Sequence, residues 1–105
     1  MPTPSETNAF IQAVRREANR FAAHGGGVRY DTKPDERYDL TLIAYRVYGS
    51  RHEFMAILAA AGLDSVEQVI PEQTLYLPTL SQLHSIKRST GYLTDAEKAL
   101  YASLN

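Results

Sequence analysis

Three histidines and a scatter of carboxylates are the residues of this chain best equipped for chemistry, and their spacing argues against it. His24, His52 and His84 lack the i, i+4 pairing and supporting carboxylates with which a helix holds a metal, so neither a metal nor a cofactor is expected. Glu36, Asp39 and Glu53 contain the makings of the carboxyl pair that glycoside hydrolysis needs. Asp39, however, stands directly before an apolar helical run, where capping is a sufficient role for a carboxylate. His24-Gly25-Gly26-Gly27 is a string able to supply oxyanion-hole amides, but no Gly-x-Ser-x-Gly elbow accompanies it, and 105 residues cannot hold the sheet above which such a loop acts. Cysteine is absent, which removes disulfides, thiolate metal sites and a cysteine nucleophile together. The chain is expected not to be an enzyme.

The elements that would position any site are easier to read. Thr3-Pro4-Ser5-Glu6 supplies a capping threonine, a proline in the first turn and a glutamate three residues on. Phe10, Val14, Ala18 and Phe21 then recur at helical spacing, with Gln12, Arg16, Asn19 and Arg20 opposite. The glycines at 25–27 end this helix and read as a flexible hinge. Val28-Arg29-Tyr30 reads as a short strand and Asp31 to Glu36 as a polar turn. Asp39 opens a helix buried through Leu40, Ile43, Ala44 and Val47 and stopped at Gly49; a second, with Phe54, Ile57, Leu58 and Ala61 inward, stops at Gly62. Thr74-Leu75-Tyr76-Leu77 is a strand closed by Pro78, expected to pair antiparallel with the first. After it, Leu80, Leu83, His84 and Ile86 fit either a short helix or an extended segment, while Thr94-Asp95-Ala96-Glu97 repeats the capping box ahead of a last helix with Leu100, Tyr101 and Leu104 on one face.

A capped helix ending in Tyr48-Gly49, a second helix of similar length and the run Ile70 to Pro78 together resemble a LysM domain, over roughly residues 28–78. Ile43-Ala44-Tyr45-Arg46-Val47-Tyr48-Gly49 is most similar to the LysM modules of bacteriophage tail and baseplate proteins. The resemblance implies an α+β fold with a βααβ module, flanked by an N-terminal helix and hinge over 1–27 and a C-terminal helical arm over 79–105. Glycan-binding members carry Gly-Asp-Thr ahead of the first helix, an asparagine after the second and a glycine before the last strand; this chain has Arg37-Tyr38-Asp39, Ala61 and Gln73 there.

On that footing the resemblance implies a structural adaptor in a contractile tail, joining hub or tube to sheath or wedge subunits by shape. Its virion location would follow synthesis in the bacterial cytoplasm. The amphipathic helices either fold back onto the module or seat in neighbouring subunits. In the second case they nominate the partner-binding residues, Phe10, Val14, Arg16, Arg20 and Phe21 at one end, where the hinge makes the helix the better candidate for reaching outward, and Leu100, Tyr101 and Leu104 at the other. The alternative is a peptidoglycan-binding module, using Tyr38, Asp39, Ala61, Gly62, Leu63 and Asp64 in the loops beside the two helices. Seven tyrosines could serve as core-edge residues, interface anchors or sugar platforms.

Net charge narrows the partners further. With Lys+Arg at 11 and Asp+Glu at 12, nothing favours nucleic acid, although the acidic groups concentrate in the middle of the chain. No apolar run approaches membrane-spanning length, and Met1-Pro2-Thr3-Pro4-Ser5-Glu6 lacks the apolar core of an export signal.

Overall fold

In the computed structural model, which describes residues 2–103, the starts of four of the five α-helices answer to a local side chain, the helix at Phe54–Ala61 being the exception. α1 (Pro4–His24) begins at the Thr3–Glu6 capping box. It is followed by β1 (Val28–Asp31), a one-turn 3-10 helix at Pro34–Glu36, and α2 (Leu40–Tyr48), whose first amides, at Thr41 and Leu42, donate to the Asp39 carboxylate. Gly49 ends α2 at φ +76°, a left-handed conformation that glycine adopts without steric cost. A second 3-10 turn leads into α3 (Phe54–Ala61), and β2 (Thr74–Leu77) closes the middle of the chain. α4 (Leu80–Thr90) and α5 (Asp95–Ser103) follow. The ambiguous segment after Pro78 is a helix because Thr79 and Gln82 form a capping box of their own.

The architecture is α+β, mostly helical, with a two-stranded antiparallel sheet. Val28 pairs with Leu77, Arg29 with Tyr76, Tyr30 with Leu75 and Asp31 with Thr74. The pleat turns Val28, Tyr30, Leu75 and Leu77 to one face, and Leu75 and Leu77 lie in the core with Leu40, Ile43, Ala44, Ile57, Leu58 and Ile70. A sheet of two strands is marginal alone, so α2 and α3 supply what holds it.

A second cluster joins α1, α3 and α4: Phe10 and Val14 meet Ala56, Ala59 and Leu83. The Tyr92 ring stacks on Phe10 at a centroid distance of 4.3 Å. Ile11, Tyr48, Met55 and Ala60 touch both clusters, so the core is continuous across the three segments the sequence suggests. The radius of gyration, 13.4 Å, matches the roughly 13 Å of a compact chain of this length.

This placement corrects the expectation that α1 reaches outward. Phe10, Val14 and Phe21 are 1%, 0% and 3% exposed and serve the chain's own interior. The glycine run is likewise more than a hinge. A Cβ at Gly27 would stand 2.4 Å from the Phe21 ring and 2.5 Å from the Leu77 carbonyl, so glycine is needed there for α1 to close on β2.

Candidate interaction surface

Two loops lie side by side beyond the sheet, residues 32–39 and 62–73. Thr32 donates its amide to the Gln73 carbonyl at 2.9 Å, and the Gln73 amide donates to the Thr32 hydroxyl at 2.8 Å. Farther along, the Ile70 amide donates to the Arg37 carbonyl at 2.8 Å. That bond brings Tyr38 and Val69, the chain neighbours of the bonded residues, to one edge. Both are exposed, Tyr38 at 80% and Val69 at 44%, with Val66 at 51% on the same loop. The Gln68 side chain closes the turn below Val66 by accepting from the Asp64 and Ser65 amides.

A buried charge network fixes the first loop. Glu36 is fully buried, accepting from the Lys33 amide at 2.6 Å, from the Tyr30 hydroxyl, and from Arg46 at 2.8 Å. Arg46 also forks onto Asp35 at 3.0 and 2.7 Å, tying the loop to α2. Asp35 is held below the usual carboxylate range by its bond to Arg46, and Arg46 is raised by Asp35 and Glu36. Burial, then the Glu36 carboxylate, pushes the Tyr30 hydroxyl up to about 12. These groups carry structure: the acid is occupied on every side.

The residues nominated from sequence fall into distinct places. Asp39 is a cap, bonded also to Arg51 at 3.3 Å, while Leu63 is buried, Gly62 and Asp64 are exposed, and Ala61 is half-buried. Arg16 and Arg20 are exposed on α1, with Arg20 bonded to Glu17 and lying over the Phe21 ring at 5.3 Å. Leu100 is 57% exposed on α5; the side chain of Tyr101 and all of Leu104 lie outside the described residues. Tyr48 is a core-edge residue whose hydroxyl donates to the Pro78 carbonyl at 2.8 Å, whereas Tyr45 is 56% exposed. A shallow cleft of about 170 Å³ lies between α1 and α4, lined by Glu17, Arg20, Gln82, Ser85 and Ile86.

The three carboxylates with hydrolytic potential are separately engaged: Glu36 with Arg46, Asp39 in its cap, Glu53 with Lys87 at 2.6 Å. Among the described residues, no group of three or more His, Asp or Glu is arranged to hold a metal ion. No helix of the described residues is long and apolar enough to cross a membrane.

Sequence reasoning missed the buried charges. Arg15, Glu36 and Lys87 are polar residues placed inside or at the core edge, and periodicity assigns such residues to solvent by default. Only Glu36 left a trace, standing three residues after Lys33 with Pro34 between, the spacing of a capped turn. Compared with models of known families, with characterised proteins and with solved structures, the chain matches none.

Proposed function

We propose that this chain is a LysM-like structural adaptor of a contractile phage tail or related injection machine, seated at the baseplate and joining hub or tube to sheath or wedge subunits. The carrying observation is that Tyr38, Val66 and Val69 are all exposed on the two joined loops while Leu100 is exposed on α5, with Tyr45 on α2 and Leu80 on α4 exposed singly. An adaptor needs two contact surfaces, and the exposed apolar residues of the joined loops and of α5 are the groups proposed to supply them. The element order β1, α2, α3, β2, together with the Asp39 cap and the Gly49 stop, supports the βααβ reading of residues 28–78. In this reading α1 is internal bracing, and Arg16 and Arg20 are its outward-facing contact groups.

The test is quantitative mass spectrometry of purified tails from a cell that encodes the chain. The chain is expected at a fixed ratio to hub and sheath subunits after high-salt washing. Absence from the particle, or loss of the chain on washing, overturns the proposal.

A second reading, a peptidoglycan-binding module, is favoured by Tyr38 alone. A tyrosine 80% exposed beside two paired loops is suited to stacking on a sugar ring. Saturable co-sedimentation with insoluble peptidoglycan, unchanged by salt and abolished in Tyr38→Ala, would establish it. No binding by the folded protein would eliminate it.

A further inference from the structure

Glu97 does two jobs with one carboxylate. Its Oε1 accepts from the Thr94 amide at 3.1 Å, completing the capping box that starts α5, and its Oε2 accepts from Lys87 Nζ on α4 at 2.9 Å. Lys87 is 4% exposed and also donates to Glu53 Oε1 at 2.6 Å, so one buried ammonium ties α4 to the turn before α3 and to α5.

From this geometry we propose that α5 is a releasable arm, latched to the body through Glu97, with its folding and its docking coupled by that residue. The charge count favours release. Lys87 faces two carboxylates, and when Glu97 leaves, Lys87 and Glu53 remain a matched pair, so departure orphans no buried charge. In the docked state Glu53 Oε2 is buried without a hydrogen-bond partner among the described residues, so the cluster around Lys87 is not fully satisfied. The hinge position follows from what stays anchored. Tyr92 is stacked on Phe10 and Leu93 is 8% exposed, so the chain is held to Leu93 and free to turn at the exposed Thr94. Around the junction lie also the Tyr92 and Tyr48 hydroxyls and the Glu6 carboxylate of α1, which stands against Gly91 and attracts Lys98 of α5, while His84, Arg88 and Leu100 are engaged in contacts of their own. This inference stands independently of the adaptor reading.

The test is amide hydrogen exchange on the full chain, comparing the parent with Glu97→Gln and Glu97→Ala. Glutamine at this position still completes a capping box but cannot pair as an anion, whereas alanine does neither. Glu97→Gln is expected to raise exchange in α5 by about tenfold or more while the amides of α1 to α4 keep their rates. Glu97→Ala is expected to raise it further, because the helix start is lost as well. Parent-like exchange of α5 in Glu97→Gln overturns the latch, as does an equal rise over the whole chain, which would make α5 part of the global folding unit. Identical rates in the two variants overturn the coupling of folding to docking.

Discussion

Arg15 of α1 donates a 2.7 Å hydrogen bond to the carbonyl of Leu63, just past the end of α3, and its Nε donates to the Ala59 carbonyl at 3.2 Å. A cation on the last carbonyls of a helix satisfies acceptors that have no partner within it and complements the helix dipole. α1 is therefore clamped to α3 by charge as well as by the Phe10 and Val14 contacts. Arg15→Ala is expected to lower unfolding stability by about 2 kcal/mol and Phe10→Ala by about 3–5 kcal/mol. Urea denaturation should show one transition in each case. A separate early loss of α1, with the rest of the chain unaffected, would contradict the shared core.

Gly27→Ala is expected to cost about 1–3 kcal/mol, the usual range for forcing an atom into a filled site. The added methyl meets the Phe21 ring and the immovable Leu77 carbonyl together. A melting temperature equal to the parent's would return the glycine run to a simple hinge.

Arg46→Met leaves Glu36, 0% exposed, without its cation, although the Tyr30 hydroxyl and Lys33 amide still bond to it. Because Arg46 is itself a third exposed, the expected loss is about 3 kcal/mol, the low end for breaking a buried pair. Arg46→Lys should recover only part of this, since an ammonium cannot make the paired bonds to Asp35. Chemical denaturation of the two variants checks the order, and equal stabilities would contradict it.

Stability should fall on both sides of neutrality. Asp39 lies below the usual carboxylate range, first through the Thr41 hydroxyl; Glu97 does too, because the bonds from Lys87 and Thr94 outweigh the burial that acts against them. A carboxylate lowered in the folded state contributes stability that is complete above its unfolded value, about 4, and is lost as pH falls through the folded value. Lys87 is raised, burial notwithstanding, by Glu53 and Glu97, and Tyr30 is pushed up to about 12, so their contributions are complete below about 10 and lost as pH rises. Melting temperatures across the range should form a plateau from about pH 5 to 9. A flat profile down to pH 3 would contradict the acid limb.

Much of the fold was legible because its signals are local. Thr3 with Glu6, Asp39 ahead of Leu40, Gly49, and Thr94 with Glu97 each act within a turn of their own position, and each stands where the spacing predicts. The antiparallel pairing of Val28-Arg29-Tyr30 with Thr74–Leu77 was legible from two short strand-like runs, although Asp31, read as the start of the turn, is the last residue of β1 and pairs with Thr74. The destination of the α1 stripe was not. Periodicity says that Phe10, Val14 and Phe21 share a face, but whether that face meets α3 and α4 or another protein depends on contacts distant in sequence. Arg15 and Lys87 were invisible for the same reason: their partners, Leu63 and Glu53, lie 48 and 34 residues away.

The central claim, an adaptor with a fixed place among other tail proteins, is tested most directly by electron cryomicroscopy of the assembled tail at a resolution that separates helices. Density is expected for the β1, α2, α3, β2 unit with α1 packed on α3 and α4, and with neighbouring subunits against the Tyr38 and Val69 edge and against α5. A tail in which this chain has no density, or in which α1 is withdrawn from the core and carries the contacts, would contradict it.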